Sequence, residues 1–373
     1  MHFKVFTVNL YEKIETKIKQ ENYLTFDKYM EMALYEPDYG YYDNPQTSLD
    51  PNNCDFITSP ELTRLFGASI YNFFLKILKN HSYRNFTEFG AGSGKLAYDI
   101  LCEDLDNNYI TNYYIVEKSK KLINDQKRNL SNLPGSIYKK VKWVKDASDI
   151  SSSFFLANEV FDAMPVKIFK VINNNYFEKV IRINNNTLIY DFIKAKTSFI
   201  QEIEKIQKNI GLSFPNNYES EISFKSEEFI VKNFKNKKDF IFLIIDYGYS
   251  QNEYYHIQKK QGNIQYYYKK NKVIDCLAFS GNVDISCNVD FSQIYKIFNN
   301  LNHNLVSYTT QKDFLIYCDI LKQADQICDE LKRNSVLKTL LFPTDMGETF
   351  KIMLVSNKTF RNSFDINDIR HKL

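Results

Sequence analysis

Residues Glu88-Phe89-Gly90-Ala91-Gly92-Ser93-Gly94 lie between a short strand-like run, Phe86 to Phe89, and a stretch of helical spacing from Leu96 to Glu103. Glycines there let the main chain turn sharply and approach a ligand, and a helix that begins at the turn points free amides outward. This arrangement calls for strand, loop and helix in that order, the opening of a βαβ unit. Spacing excludes a phosphate-cradling Gly-x-x-x-x-Gly-Lys-Ser/Thr loop, because Gly94-Lys95 would need glycine at Phe89 and a hydroxyl at Leu96. A dinucleotide loop survives, since Gly92-x-Gly94-x-x-Ala97 has the Gly-x-Gly-x-x-Gly/Ala form.

Charge tilts the choice. Glu88 ends the first strand, where a carboxylate repels a pyrophosphate and favours a cationic aminoacyl group. S-adenosylmethionine is such a cation and is the expected cofactor. Glu117 ends the next strand, where an acid can chelate ribose hydroxyls, and either cofactor would use it.

The surrounding pattern is consistent with a parallel sheet. Short apolar runs at Phe86–Phe89, Tyr113–Glu117, Val141–Val144, Phe154–Ala157 and Phe240–Asp246 alternate with helical stretches near Leu96–Glu103 and Lys118–Asn129. Late strands near Leu305–Tyr308 and Phe350–Val355 would close the sheet with an antiparallel pair, with a helix from about Ile316 to Lys332 between them. Asn173-Asn174-Asn175 and Asn184-Asn185-Asn186 look like hairpin turns inside an insertion that carries its own small sheet and two helices. The expected class is α/β: a Rossmann-like doubly wound sheet with an N-terminal helical cap and an inserted α+β subdomain. The expected segments are 1–84 (cap and lid), 85–165 (cofactor-binding half), 166–239 (insertion) and 240–373 (second half of the sheet).

Composition mainly excludes. With 48 basic and 45 acidic residues among 373, the net charge of +3 leaves no nucleic-acid footprint. The longest apolar run, Phe240 to Ile245, is far below the roughly 20 residues of a membrane span, so no membrane insertion is expected. Residues 1–9 have neither a secretory nor a transit layout, which makes a bacterial cytoplasm the default and the mitochondrial matrix the alternative. Six cysteines and five histidines are dispersed, so reduced thiols and no metal are expected. The abundance of Asn and Lys in loops reads as compositional bias and receives no functional weight.

Several blocks together resemble the MidA-like family of S-adenosylmethionine-dependent methyltransferases, whose mitochondrial members assist assembly of respiratory complex I. The likeness is carried by Tyr29-Met30-x-x-Ala33-Leu34-Tyr35-x-Pro37-x-x-Gly40-Tyr41-Tyr42, by Asp55-Phe56-x-Thr58-Ser59-Pro60-Glu61, and by the glycine loop. It continues through Glu117-x-Ser119-x-x-Leu122-x-x-x-Gln126, Ala157-Asn158-Glu159-x-x-Asp162-Ala163-x-Pro165, Asp246-Tyr247-Gly248 and Met346-Gly347-Glu348-x-Phe350-Lys351. The resemblance implies a class I methyltransferase fold and a protein substrate, an arginine of a complex I subunit. Where the family typically carries Thr-Leu-Arg-Gly followed by His, this chain has Gly262-Asn263-Ile264-Gln265-Tyr266 and then Lys269-Lys270. That departure keeps a non-catalytic assembly or scaffolding factor open as another reading, the glycine spacing keeps a nicotinamide-dependent oxidoreductase open, and a homodimer is left open as well.

Methyl transfer is an in-line displacement, so the protein must bind the donor, align the acceptor and exclude water. Expected on the cofactor side are Glu88, Gly90, Gly92, Gly94 and Glu117, with Asp146 near the adenine and Thr58 and Ser59, beside Asp55 and Glu61, in a lid. Expected on the acceptor side are Asn158, Glu159 and Asp162, just past a strand's carboxyl end, where open α/β sheets bind ligands.

Overall fold

The computed structural model describes residues 8–45, 47, 58–357 and 364–373. They fall into two compact units, each assembled from three separate stretches of chain. One takes the described residues of Leu49–Phe161, Phe229–Gly248 and Gln293–Leu373; the other takes those of Met1–Ser48, Asp162–Glu228 and Tyr249–Ser292.

The first unit is built on a sheet of β1 (Asn85–Phe89), β2 (Asn112–Val116), β3 (Val141–Val144), β4 (Ser152–Asn158), β5 (Asp239–Tyr249), β6 (Asn304–Thr310) and β7 (Phe350–Ser356). Across the sheet their order is β3-β2-β1-β4-β5-β7-β6. Strands β1 to β5 pair in parallel, while β7 runs antiparallel to both β5 and β6, as the sequence pattern predicts for the late pair. The order reverses between β1 and β4, and ligands in open α/β sheets bind beyond the carboxyl ends of strands at such a point.

Both faces of this sheet are covered, which is why β4 and β5 are almost continuously apolar. On one face Phe86, Phe154 and Leu156 pack among side chains of α1 (Arg64–Leu78) and α2 (Lys95–Glu103). On the other, Phe234 stacks on Phe242 at 4.6 Å and meets Phe155 edge-on at 5.2 Å. The expected helix from Ile316 to Lys332 is broken into Gln311–Tyr317, Ile320–Ala324 and Glu330–Leu341. Asp319 adopts a left-handed φ of 64° at the first break, and Asp329 restarts the chain by accepting the Lys332 amide at 3.0 Å.

In the second unit, Lys167–Ile172, Asn175–Asn184 and Thr187–Lys194 form consecutive hairpins, with Glu219–Ile222 on one side. The loops are Asn173-Asn174 and Asn185-Asn186, all four at positive φ, the conformation a two-residue hairpin turn requires. Leu24–Thr25, in the part expected to be purely helical, pairs with Asn175–Asn184. A second, three-stranded sheet contains Ile264–Tyr268, Asn271–Val273 and Asp284–Cys287. Helices Val8–Glu21, Phe26–Tyr35 and Thr197–Ile210 contribute Leu10, Ile14, Tyr29 and Ile203 to this unit's core.

Candidate functional site

The glycine loop connects the carboxyl end of β1 to α2, and Gly90, Gly92 and Gly94 have φ of 61°, 53° and 83°. A side chain is disfavoured at all three on backbone grounds, and a Cβ on Gly94 would press to 3.2 Å from Cα of Gln126. The Gly90 amide donates to the Val116 carbonyl at 3.0 Å, which ties the loop to the end of β2.

Side chains clamp the rest. From α3 (Lys120–Leu130), Nε2 of Gln126 donates to the Gly92 carbonyl at 3.1 Å and to Glu117 at 3.2 Å, while its Oε1 accepts from the Trp143 indole at 2.9 Å. Asn129 donates to the Ser93 carbonyl at 2.8 Å, and the Ser93 hydroxyl donates to the Glu61 carboxylate. Sequence reasoning left Gln126 and Asn129 out of the site. The signal was present in Gln126, nine residues after Glu117 on the face of a helix that starts at Ser119.

Glu88 is not an exposed anion. Its carboxyl is buried, with the Tyr113 hydroxyl donating to it at 2.7 Å. Burial raises its pKa to about 7, against the lowering effect of the Tyr113 hydrogen bond, and the nearby charge of Glu117 adds to the rise. Glu88 shares a sheet face with Phe86, and that face is the one packed under helices. Glu117, just past β2, accepts the amides of Lys118 at 2.7 Å and Ser119 at 2.9 Å through one oxygen.

The remaining expected residues are spread more widely. Asp146 follows β3, accepts the Ser148 amide and hydroxyl at 3.2 and 2.6 Å and pairs with Lys232 at 3.0 Å; its pKa falls to about 2, first through the Ser148 hydroxyl and then through Lys232. Ser59, expected in a lid, is fully buried, its hydroxyl within hydrogen-bond distance of Gln311 at 3.4 Å and of Met346 at 3.3 Å. Thr58 caps the short helix Ser59–Leu62 with its carbonyl, and Asp55 lies outside the described residues. Of that segment, Glu61 is the residue seen to meet the glycine loop.

Asn158 and Glu159 stand at the carboxyl end of β4. Glu159 has φ 53°, an uncommon conformation for a residue other than glycine, and its amide donates to the Ile245 carbonyl of β5 at 2.9 Å. Asn158 donates from Nδ2 to the Glu159 carboxylate at 3.1 Å, while its Oδ1 is buried with no hydrogen-bond partner among the described residues. Fully buried Asp246 holds the turn from behind, accepting the amides of Phe161 at 3.0 Å and Tyr247 at 2.9 Å. Asp162 belongs to the other unit, where it is buried and its carbonyl accepts the Cys287 amide at 2.9 Å.

A doubly wound sheet with a glycine loop at its switch point, an acid near the end of the first strand, another past the second and polar residues at the end of the fourth defines a nucleoside-binding α/β enzyme. The chain belongs to the family of S-adenosyl-L-methionine-dependent methyltransferases, whose model matches residues 66–309. It is similar to the protein arginine methyltransferase NDUFAF7 homolog, mitochondrial, of Caenorhabditis elegans, at 26% identity over 96% of this chain and 87% of that protein. The protein arginine methyltransferase NDUFAF7, mitochondrial, of Xenopus tropicalis is 25% identical over 91% of this chain and 84% of its own length. A methyltransferase-like protein of the COG1565 superfamily from Burkholderia thailandensis, solved bound to S-adenosyl-homocysteine, superposes with a TM-score of 0.90. It is 25% identical, covering 98% of this chain and 96% of that one.

This protein is therefore a methyltransferase with a class I Rossmann-like fold, and S-adenosylmethionine is its methyl donor. The residues fit that cofactor. Three positive-φ glycines leave the backbone of the loop without a side chain at positions 90, 92 and 94, and Glu88 is the next-to-last residue of the strand that leads into it. Among the described residues, no group of His, Cys, Asp and Glu could hold a metal ion, and no helix is long and apolar enough to cross a membrane.

Proposed function

We propose that this methyltransferase modifies an arginine guanidinium of a protein substrate. The observation that supports this most is the pair at the end of β4: a carboxylate on a left-handed residue, beside a buried amide oxygen that has no partner among the described residues. A guanidinium has five N–H donors and no acceptor, so it matches a carboxylate and an amide oxygen side by side. The name protein arginine methyltransferase, borne by relatives that align over most of the chain, supports the same acceptor.

In this reading the Gly90–Gly94 loop with Glu88 holds the aminoacyl part of the cofactor, Glu117 the ribose hydroxyls, and Asp146 the adenine end. When bound, S-adenosylmethionine supplies a methyl group on a positively charged sulfur. Glu159 and the Asn158 oxygen align a guanidinium nitrogen with that methyl carbon. The N–C bond forms as the C–S bond breaks, the sulfur leaves as a neutral thioether, and the substituted nitrogen releases one proton. Glu159 balances the positive charge while that proton is lost. Asp162 is retained as an acceptor-side candidate on its position in the sequence motif.

A complex I subunit as acceptor and a homodimer rest on the family resemblance alone. For the compartment we favour a bacterial cytoplasm, with the mitochondrial matrix as the alternative, the animal relatives being named mitochondrial.

The test is incubation of the purified protein with methyl-labelled cofactor and a panel of proteins that includes complex I subunits, followed by hydrolysis and amino-acid analysis. Label is expected in methylarginine. Label in another residue would reject the acceptor, and binding of a subunit without transfer would favour a scaffold. Glu159→Gln should reduce transfer at least about 100-fold while S-adenosylhomocysteine affinity stays within about twofold, since the residue is assigned to the acceptor.

A further inference from the structure

The connection from β3 to β4 contains no helix. Residues 145–151 turn back directly, and side chains from one short stretch, Lys232 to Lys237, hold the turn at three kinds of group. Lys232 pairs with the Asp146 carboxylate at 3.0 Å. Asn233 accepts the Ala147 amide at 3.2 Å through Oδ1. Lys237 turns inward, with 7% of its surface exposed, and its Nζ donates to the carbonyls of Ala147 at 2.7 Å, Ser148 at 3.3 Å and Ile150 at 2.5 Å.

Three acceptors around one nitrogen match the three N–H groups of an ammonium; a neutral amine would supply two. No carboxylate forms a salt bridge to Lys237 among the described contacts, and the face of Phe155 lies 5.2 Å from its nitrogen. A buried cation is costly, and this one is offset by the carbonyl dipoles of a single turn together with the charges of Asp149 and Asp146. Without it, the carbonyls of buried Ala147 and Ile150 would lose this partner beside the Phe155 ring, and the turn would have to open to hydrate them. The turn it closes displays Asp146 on its outer side, where it lines a groove with Tyr114, Val144, Asp149 and Ser151.

We propose that Lys237, assisted by Asn233, is a positioning residue for the cofactor: it fixes the turn that presents Asp146 and so sets affinity for the adenosine half of S-adenosylmethionine without touching it. The proposal rests on the assignment of Asp146 to the adenine end. It also separates two lysines and an asparagine from the Asn- and Lys-rich background in which they occur.

The experiment is titration calorimetry of the full chain with S-adenosylhomocysteine and with adenosine, using Lys237→Met, Asn233→Ala, Asp146→Asn and the double variant Lys237→Met with Asp146→Asn. Lys237→Met is expected to weaken both ligands by the same factor, at least about tenfold, and the double variant is expected to be no weaker than the weaker single one. Non-additivity of that kind marks two residues acting through one structure. Unchanged affinity in Lys237→Met, or losses that multiply in the double variant, would overturn the positioning role. Unchanged affinity in Asp146→Asn would instead remove the adenine assignment beneath it, leaving the glycine loop to be judged by its own variants. Should Lys237→Met fail to fold, Asn233→Ala decides by the same readings, with a loss of about threefold or more expected and no loss counting against the proposal.

Discussion

A carboxyl whose pKa is raised to about 7 in the folded chain does two opposed things, and Glu88 shows both. The folded state holds this proton more tightly than the unfolded state, whose carboxyl titrates near 4.5. Its contribution to stability is therefore complete below that value and is lost as pH rises through about 7. A bound cation reverses the preference, because an ammonium near the loop favours the ionised form. S-adenosylmethionine should accordingly bind more weakly as pH falls from about 8 to about 6, releasing a proton on binding, which calorimetry in buffers of different ionisation enthalpy would register. Glu88→Gln keeps an acceptor for Tyr113 and removes the buried charge. We expect it to melt several degrees higher than the parent at about pH 8 and to match it near pH 5, and to bind the cofactor at least about tenfold more weakly at about pH 8, with the gap closing towards pH 5, where the parent's own carboxyl is protonated. A variant that loses stability at alkaline pH, or binds normally, would contradict this account.

At the scale of elements, the loop is shaped by its glycines and held by α3. Gln126 uses both ends of one amide: the nitrogen on Gly92 and Glu117, the oxygen on the only tryptophan. Gln126→Ala leaves the indole N–H and the Gly92 carbonyl without their partners, a loss of roughly 1 to 3 kcal/mol where such groups are buried. The expected outcome is a lower melting temperature together with at least about tenfold weaker S-adenosylhomocysteine binding. Weaker binding at unchanged melting temperature would show instead that Gln126 touches the ligand. Elements of this kind were legible in the sequence where local chemistry decides them. The strand before Glu88, the Asn-Asn hairpin turns and the apolar runs of β4 and β5 are each dictated by neighbours in the chain. Ser59 was not legible, because a serine before proline and glutamate starts a helix whichever way its hydroxyl points, and its partners Gln311 and Met346 are about 250 residues or more distant. The break at Asp319 escaped for a related reason: its left-handed turn is accompanied by an ion pair to Lys76 on α1.

For the whole molecule, what the sequence pattern could not show is interleaving. The chain changes unit after residues 48, 161, 228, 248 and 292, so neither unit is a continuous stretch. The expected segments, by contrast, were cut where the local pattern changes. A hydrophobic period reports which face of an element is buried and is silent about which distant element buries it. In the sheet unit this matters most at β4, whose two edges pair with β1 from one part of the chain and with β5 from another. Residues 58–161 contain the glycine loop, every strand from β1 to β4 and every residue expected from the sequence to touch the cofactor, and have the outline of a self-sufficient binding domain. They lack β5, however, and so leave Phe154, Phe155 and Leu156 on an open apolar edge, without Phe234, Phe240 and Phe242 to cover one face. An exposed edge of that kind templates association, and a parallel sheet gains little until its non-local partner arrives. We expect the 58–161 fragment to be recovered aggregated or without near-ultraviolet circular dichroism and to show no heat of binding for S-adenosylhomocysteine, whereas the intact chain unfolds cooperatively and binds. A cooperative melting transition in the fragment would mean that the carboxyl-end loops, including the clamped turn at Asp146, are held by β1 to β4 alone.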